Sequence, residues 1–434
     1  MPINNLTIKL PKNEIPRVWY NVLPDLPEPL PPYLTPGNVP VEPQALAAIF
    51  PPALIEQELS TKRHFDIPEP VVEALSRWRP TPLTRAVGLE KALGVRSMIF
   101  YKNESVSPSG SHKSNTAMAQ AHFNKIAGIR RLATETGAGQ WGTALAIAGQ
   151  YFNLDVRVFM VRVSLQQKPY RKTIMNLMGA EVLSSPSTVT NAGREAIKND
   201  PDTLGTLGLA ISEAVEEAAS RSDTNYSLGS VLNHVLLHQT VIGQEIKKQL
   251  DIAGVKPDYL IACHGGGSNF GGMAVPFVPD VLSGQKINLI AAEPESCPSL
   301  SKGKYGHDHG DVAGLTPLLP MYSLGKDFQP PAIHAGGLRY HGASPIVSSL
   351  VKSGIVVPET VGAYELFQYA KIFSRTEFVI PAPESAHALA VTCRKALELE
   401  KEANPGVLVF VLSGHGLLDL SAYEDYLSEQ PEKE

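Results

Sequence analysis

Lys113 stands in a loop of small residues, Ser107–Thr116, that leads into a helical pattern. The positive end of a helix dipole disfavours an ammonium group, so a lysine in the first turn should release its proton more easily than an exposed lysine. A neutral amine can form a Schiff base with a carbonyl compound. The local sequence is equally compatible with a surface lysine that follows a helix N-cap at Ser111.

Glu135 ends a predicted strand and precedes a glycine loop, Thr136–Gly142. Three glycines of this loop have the G-x-G-x-x-G spacing of dinucleotide sites. Such a site needs an acidic residue at the end of the next strand, where this chain has Arg162. A nest of backbone N–H donors for a carboxylate fits better. Glu135 is then a general acid and base, unless it is an exposed residue of a tight turn.

A second glycine loop, Gly265–Asn269, also follows a predicted strand. Its glycines allow close backbone approach, and Ser268 and Asn269 add side-chain donors, which favours a phosphate ligand over a purely structural turn. It lacks the P-loop lysine and the Rossmann spacing, which disfavours nucleoside triphosphates and NAD. Ser413 closes the last predicted strand, where it can bind a ring nitrogen or only complete its own turn.

The elements that must position these residues alternate between strands and helices. The predicted strands are Leu6–Leu10, Met98–Lys102, Arg131–Thr134, Val156–Val161, Glu181–Leu183, Asp258–Cys263, Ile287–Ala292, Glu377–Ile380 and Gly406–Leu412. The predicted helices are Thr116–Lys125, one from about Gly139, Lys168–Met178, Leu207–Ala218, Ala363–Phe373 and Glu384–Glu400. This alternation predicts right-handed crossovers and mostly parallel sheets, hence an α/β fold of two layers with a cleft between them.

Length and composition describe an ordinary globular protein. The 434 residues suggest two to three domains, and a net charge of -5 argues against nucleic-acid binding. Three widely spaced cysteines suit a reducing compartment and fit neither a disulfide framework nor a metal site. No apolar run predicts a membrane span, and the N-terminus does not read as a signal peptide, so we expect a cytoplasmic protein.

Five motifs occur in the order that is typical of the tryptophan synthase beta chain family. They are Ser-His-Lys-Ser-Asn at 111–115, Glu-Thr-Gly-Ala-Gly-Gln-Trp-Gly at 135–142, Gly-Gly-Gly-Ser-Asn at 265–269, Pro-Glu-Ser-Ala-His-Ala-Leu at 383–389 and Ser-Gly-His-Gly at 413–416. The proline-rich start and the long 302–342 region resemble the second, divergent class of these beta chains. The resemblance implies fold type II of the pyridoxal 5'-phosphate (PLP) enzymes, with two three-layer α/β domains and the cofactor in the cleft between them.

The resemblance also implies a domain organisation. We expect an N-terminal arm with helices at 1–78, a crossover segment at 79–111, an N-terminal α/β domain at 112–240 that includes a mobile communication subdomain at about 128–215, and a C-terminal α/β domain at 241–434.

The roles of the family's site residues carry over to matching positions. Lys113 and Glu135 are the expected catalytic residues. The expected cofactor-binding residues are His112, Lys113, Asn115, Ser230, Gly265, Gly266, Gly267, Ser268, Asn269, Glu384 and Ser413. The expected substrate-binding residues are Thr136, Gly137, Ala138, Gly139, Gln140, Trp141 and Arg339.

The implied activity is a PLP-dependent β-replacement that makes L-tryptophan from indole and L-serine. The resemblance also implies a homodimer and allows a monovalent cation. One alternative is another fold type II lyase, of the threonine synthase or serine dehydratase type, which the Glu135 loop disfavours. A catalytically silent regulatory subunit is a second alternative, disfavoured because Lys113, Glu135 and the phosphate loop are all intact.

Two positions depart from the family pattern. Arg339 replaces an aspartate that closes on the substrate hydroxyl, and because arginine prefers anions, O-phospho-L-serine is an alternative donor to L-serine. A structural salt bridge is the alternative role for Arg339. The segment Leu232–Gln239 replaces a Pro-His-Pro region of the family, which leaves open whether an alpha subunit docks.

Overall fold

The computed structural model describes residues 7–428. Its strands are β1 (Thr7–Ile8), β2 (Val18–Tyr20), β3 (His64–Asp66), β4 (Leu83–Arg85), β5 (Met98–Asn103), β6 (Arg131–Thr136), β7 (Asp155–Val161), β8 (Glu181–Ser185), β9 (Thr224–Tyr226), β10 (Tyr259–Cys263), β11 (Asn288–Pro294), β12 (Lys304–His309), β13 (Leu318–Ser323), β14 (Val356–Val361) and β15 (Val407–Leu412).

The helices surround these strands. They are α1 (Pro43–Leu46), α2 (Pro52–Leu59), α3 (Glu69–Leu75), α4 (Val87–Leu93), α5 (Ser114–Ile126), α6 (Gln140–Phe152), α7 (Arg162–Gln167), α8 (Pro169–Leu177), α9 (Asn191–Asn199), α10 (Leu207–Ala219), α11 (Asn233–Gln239), α12 (Val241–Ala253), α13 (Ser268–Ala274), α14 (Val278–Leu282), α15 (Ser299–Lys302), α16 (Pro345–Lys352), α17 (Ala363–Glu377), α18 (Pro383–Lys401) and α19 (Leu420–Ser428).

The larger sheet has seven strands in the order β1-β4-β5-β15-β10-β11-β14. The strands from β5 to β14 are parallel, whereas β1 and β4 pair antiparallel at one edge. The central strand β15 reads Val-Leu-Val-Phe-Val-Leu and is buried along its whole length, as a parallel strand covered on both faces should be. The predicted α/β class is confirmed.

The smaller sheet has four parallel strands in the order β8-β7-β6-β9. The short strand β9 was not predicted. It pairs with β6 and follows α10, so the predicted helix at 207–218 does lie beside a strand.

Residues 7–78 pack along both sheets. Trp19 is fully buried, and the proline-rich run begins with a 3₁₀ turn at Leu23–Asp25 and continues to Tyr33 without a helix or strand. The hydroxyl of Tyr33 donates to the Glu58 carboxylate in α2 at 2.5 Å. Leu6, the first residue of the strand predicted at 6–10, lies outside the described residues, and β1 covers only two positions of that prediction.

The long 302–342 region contains an antiparallel hairpin, formed by β12 and β13. The strand predicted at 377–380 does not form, because α17 continues to Glu377 and Phe378 then ends it in the left-handed conformation at φ 59°.

A buried charge cluster anchors the start of α5. Arg79 pairs with Glu104 at 2.8 Å and with Glu245 at 2.9 Å, and all three side chains are shielded from solvent. Arg79 also donates to the Asn115 side-chain oxygen at 3.0 Å. The network therefore fixes the helix that begins directly after Lys113.

Candidate active site

Three neighbouring strands of the larger sheet deliver the predicted loops to one edge. β5 leads to the Lys113 loop, β15 ends beside Ser413, and β10 leads into the second glycine loop. Ligands of α/β sheets bind beyond the carboxyl ends of such strands. β6 of the smaller sheet supplies Glu135 from the facing side. Residues that the sequence separates by about 300 positions therefore share one cleft.

Lys113 lies between two small cavities and lines both. It is itself the N-cap of α5, so the predicted cap at Ser111 is wrong. Its Nζ donates to the carbonyl of Gly229 at 3.2 Å. The pKa of Lys113 is lowered to about 8, mainly because burial removes the ammonium group from water, while nearby Cys263, Glu135 and Glu384 oppose the shift. Desolvation therefore lowers the pKa of Lys113 more than the neighbouring groups raise it.

The first cavity has the features of a phosphate and ring site. Gly265–Asn269 form one wall, and a Cβ added at Gly266 would lie 2.5 Å from the Ser230 hydroxyl, so side chains larger than glycine do not fit. Gly267 has φ 118°, a conformation that favours glycine. Nε2 of His112 lies 3.2 Å from the hydroxyl of Ser268. Burial lowers the pKa of His112 to about 3, so its ring is neutral.

Ser413 and Glu384 also line this cavity. The Ser413 hydroxyl lies 2.8 Å from the hydroxyl of Ser385 and 3.5 Å from the thiol of Cys263. Glu384 accepts a hydrogen bond from the Gly337 amide at 2.9 Å. A glycine cradle and a neutral hydroxyl fit the phosphate and pyridine nitrogen of PLP.

The second cavity contains the predicted carboxylate nest. Its lining includes Glu135, Thr136, Gly137, Ala138, Gln140 and Trp141 together with Lys113. A Cβ at Gly137 would lie 2.8 Å from the carbonyl oxygen of Gly336, so the backbone here passes unusually close to its neighbour. Gly139 is the N-cap of α6 with φ 87° and has no side chain to cap the helix, while the Gly142 amide donates to the Thr136 hydroxyl at 3.2 Å. The amides of Gln140 and Trp141, which have no hydrogen-bond partner within residues 7–428, can therefore bind a carboxylate.

Three predicted site residues, Asn115, Gly139 and Arg339, do not line these cavities. Asn115 points into the buried charge cluster, where its amide donates to Gln239 at 2.9 Å. Arg339 follows Leu338, which lines the first cavity, but does not line it itself. The Arg339 guanidinium is buried, and its Nε and Nη1 have no hydrogen-bond partner within residues 7–428. The described structure thus offers no ion pair that would explain this arginine.

Glu135 is only 6% exposed, so it is not a solvated turn residue. Burial raises the pKa of Glu135 to about 7, and this effect outweighs the hydrogen bond from the hydroxyl of Tyr226, which lies at 2.7 Å and favours the carboxylate. A group with this pKa suits proton exchange near neutral pH. Sequence reasoning missed Tyr226, because the short polar strand that carries it gave no local signal.

Replacing Tyr226 by phenylalanine is expected to raise the pKa of Glu135 further. The substitution removes a donor that stabilises the ionised carboxylate, while the burial that disfavours it remains. If ionised Glu135 accepts a proton, the acidic limb of kcat/KM for the acceptor should move to higher pH by roughly one unit. The control is Tyr170→Phe, on an exposed tyrosine of α8. An unchanged limb in Tyr226→Phe would contradict the role of this hydrogen bond.

A third, mainly apolar cavity lies on the other side of Glu135. It is lined by Tyr33, Leu46, Ile49, Phe50, Leu54, Ile55 and Glu58 from the N-terminal arm and by Leu207, Ile211, Tyr226, Leu228, Ser230, Val231, Leu232, His234, Gly310, Thr316, Pro317, Leu319 and Tyr340. We call it the apolar chamber. The arm thus forms one wall of the site, which its proline-rich sequence did not reveal.

Several other lining residues were also not singled out. Cys263, Gly337 and Leu338 line the first cavity, and Leu207 and Gly337 line the second. Cys263 ends β10 directly before the glycine loop, so its position in sequence could have indicated its place. The remaining residues come from distant segments, and no local pattern marks them.

Comparison with known proteins agrees with this geometry. A family model described as "Pyridoxal-phosphate dependent enzyme" matches residues 75–414. Tryptophan synthase beta chain 2 of Thermotoga maritima is 60% identical over 96% of this chain and 99% of its own length. The beta chain 2 proteins of Aquifex aeolicus, at 57% identity over 96% and 98%, and Methanosarcina mazei, at 52% over 98% and 97%, are similarly close.

Solved structures of more distant proteins share the fold. A fungal L-serine ammonia-lyase from Rhizomucor miehei superposes with a TM-score of 0.59 at 17% identity, covering 80% of this chain and 98% of its own. Threonine deaminase isoform 2 from Solanum lycopersicum gives 0.60 at 17% identity, covering 93% and 98%. At such identities the match shows the fold alone. The family model and the close relatives show that the chain belongs to the PLP-dependent enzymes and, within them, to the second class of tryptophan synthase beta chains.

Proposed function

We propose that this chain makes L-tryptophan by placing indole on the β-carbon of serine or a serine derivative. The observation that carries the proposal is the position of Glu135, a buried carboxyl group that lines both the carboxylate nest and the apolar chamber. The carboxylate nest on one side of Glu135 would bind an amino acid, and the apolar chamber on the other side would bind an apolar aromatic ring. The names of the close relatives support the same activity.

The cofactor site defines what the chain itself must do in the amino-acid half of the reaction. Bound PLP supplies an electron sink for negative charge at the α-carbon of the amino acid. The glycine loop and Ser268 would hold its phosphate, and the Ser413 hydroxyl would meet its ring nitrogen. A neutral partner such as Ser413 would leave that nitrogen unprotonated, and this would favour loss of the β-substituent over transamination.

Lys113 and the carboxylate nest act on the amino acid. The free amides at the start of α6 would bind the substrate carboxylate, which orients the α-carbon towards Lys113. With a pKa lowered to about 8, Nζ of Lys113 can hold the α-proton and return it near neutral pH. The carboxylate nest would therefore position the amino acid, and Lys113 would transfer its α-proton.

Glu135 and the apolar chamber act on the acceptor. The chamber would hold the indole ring and exclude water, because its walls are mostly aliphatic and aromatic. The Glu135 carboxylate would accept the ring N–H of indole, which increases the electron density at the attacking carbon. Tyr226 keeps that carboxylate oriented through its hydrogen bond.

The donor is proposed to be O-phospho-L-serine. The unpaired, buried guanidinium of Arg339 supports this choice, because a buried cation without a carboxylate partner is costly unless an anion reaches it. Phosphate is also a better leaving group than hydroxide. Arg339 follows Gly337 and Leu338, two residues that line the cofactor cavity, so it belongs to the segment that borders this site.

The test is to incubate the purified, PLP-loaded protein with indole and either serine or O-phosphoserine, and to measure tryptophan and the cofactor absorbance. We expect tryptophan with a higher kcat/KM for O-phosphoserine, and we expect Arg339→Asp to lower the ratio of the two kcat/KM values by roughly tenfold or more. Arg375→Asp, at an exposed arginine of α17, is the control. No tryptophan with either donor would refute the function, and an unchanged ratio would refute the role of Arg339 alone.

Assembly and location stay predictions. We propose a homodimer, a cytoplasmic location and, as the resemblance allows, a monovalent cation near the cofactor. The segment that departs from the family forms α11, and the arm residues Gln57 and Glu58 hydrogen-bond His238 and His234 of this helix. Because residues of the N-terminal arm cover α11, we expect any alpha subunit to dock in a way that differs from the family pattern. Within residues 7–428, no helix is long and apolar enough to cross a membrane.

A further inference from the structure

A cavity of about 380 Å³ lies next to the active site at the same edge of the larger sheet. It opens where β11 ends at Pro294 and the neighbouring parallel strand β14 ends at Val361. Small-molecule sites have volumes of this order, and they occur beyond the carboxyl ends of parallel strands. None of the residues assigned above to the cofactor or the substrates lines it.

The deepest polar group of this cavity is His387 in α18, which is 1% exposed. Its Nδ1 lies 2.8 Å from the Pro383 carbonyl oxygen and must donate to it. Burial lowers the pKa of His387 to about 4, so the ring is neutral. Its Nε2 is therefore an acceptor, and no residue in the described part of the chain hydrogen-bonds to it. A ligand with an N–H group would satisfy this acceptor.

Two more polar side chains line the cavity. Nε2 of His334 lies 3.0 Å from the Asp425 carboxylate, so it donates there, and Nδ1 of His334 is buried without a partner within residues 7–428. Glu295 is exposed, and its Oε2 lies 3.4 Å from where a Cβ at Gly362 would be. These groups favour a ligand with N–H donors and a positive charge over a free inorganic anion.

The remaining walls offer an apolar surface and one set of donors. Ile333, Leu366 and Phe367 supply the apolar surface. The 15-residue helix α17 begins at Ala363, and no side chain of the described residues caps it. Its first amides have no intrahelical acceptor and can bind a carboxylate. The cavity thus combines sites for an ammonium group, a carboxylate, an apolar ring and a ring N–H.

We propose that this cavity binds an aromatic L-α-amino acid whose ring carries an N–H group. The ammonium group would meet Glu295, the carboxylate would meet the first amides of α17, and the ring N–H would meet Nε2 of His387. Tryptophan has this chemistry. Its choice as the ligand rests on the proposed function, whereas the site and its ligand class rest on the cavity alone.

The cavity is linked to the cofactor site through two short segments. Pro383 lines the cavity, and the next residue, Glu384, lines the cofactor site. Ala335 lines the cavity, and Gly337, two residues later, donates to Glu384 at 2.9 Å. A ligand in the cavity would therefore contact both segments that carry this hydrogen bond.

Equilibrium dialysis of the PLP-loaded protein with labelled L-tryptophan tests the proposal. We expect two tryptophan molecules per chain, one at the active site and one in the cavity. Ala363→Trp, at an exposed residue of the cavity mouth, should remove one of them and leave kcat unchanged. Glu295→Gln should raise the Kd of the tryptophan that binds in the cavity by about threefold to fivefold. Glu73→Gln, at an exposed glutamate of α3, should change neither. Equal stoichiometry in the wild type and Ala363→Trp would overturn the proposal.

A second measurement tests the ring N–H without depending on one variant. β-(3-Benzothienyl)-L-alanine has a sulfur atom in place of that N–H. In the cavity, which is the site that Ala363→Trp closes, it should bind about tenfold more weakly than tryptophan. His387→Asn keeps a donor for the Pro383 carbonyl and removes the Nε2 acceptor, and it should abolish this preference. A preference that persists in His387→Asn would overturn the assignment. Both tests measure binding and do not depend on catalytic activity. If the protein formed no tryptophan from indole, the proposed function would be refuted, but the ligand class of the cavity would not be.

Discussion

Replacing Lys113 by alanine is expected to lower tryptophan formation by roughly 10³-fold or more. The substitution removes the amine that would bind the cofactor covalently and transfer the α-proton of the amino acid. The glycine loop, Ser230 and Ser413 remain, so PLP should still bind non-covalently. Borohydride treatment followed by mass measurement should find the cofactor attached to the wild-type chain and absent from the variant.

Lys125→Ala is the matched control for this experiment. Lys125 lies in the same helix, α5, but it is exposed and donates only to the carbonyl of Asn153. Its replacement should leave both the attachment and the rate unchanged. A Lys113→Ala variant that keeps more than a tenth of the wild-type rate, or that still binds PLP covalently, would contradict the assignment of Lys113.

The parts of the fold that the sequence predicts are those with a local cause. β10 and β15 are short apolar runs bounded by turn residues, and both form where they were expected. β14 contains Pro358, which argues against a strand in general but is tolerated because β14 is the edge strand of its sheet. The Phe-Val-Ile run after Glu377 has strand composition, yet Phe378 ends a helix there. Amino-acid composition alone therefore does not show that the Pro358 segment forms a strand and that the Phe-Val-Ile run does not.

The site shows the same division between local and distant causes. The Lys113 loop and both glycine loops are continuous in sequence, and the chemistry of each can be derived from its own residues. Tyr226 could not be predicted, because it reaches Glu135 only through the pairing of β9 with β6. The arm wall of the apolar chamber likewise depends on contacts between residues more than 100 positions apart.

Replacing Glu135 by glutamine should lower kcat for tryptophan formation by about 10³-fold. Glutamine preserves the shape of the side chain and can still accept the hydrogen bond from Tyr226, but it cannot take up the ring proton of indole. Lys113 and the carboxylate nest are unchanged, so the amino-acid half of the reaction should persist. We therefore expect the KM of the donor to change by less than about threefold, and donor-derived ammonia to be released without tryptophan.

Measuring the amino-acid half and the indole half of the reaction separately tests whether Glu135 is the base that acts on indole. Because buried Glu135 has a pKa raised to about 7, its carboxylate is both populated and basic enough to exchange a proton at neutral pH. A purely structural glutamate would impair both halves on replacement, since Lys113 lines the same cavity. Initial rates of tryptophan and ammonia formation separate these cases, with Glu181→Gln, on the exposed part of β8, as the control. Equal losses in both rates would refute the role of Glu135, because only the acceptor half needs a proton taken from the ring nitrogen.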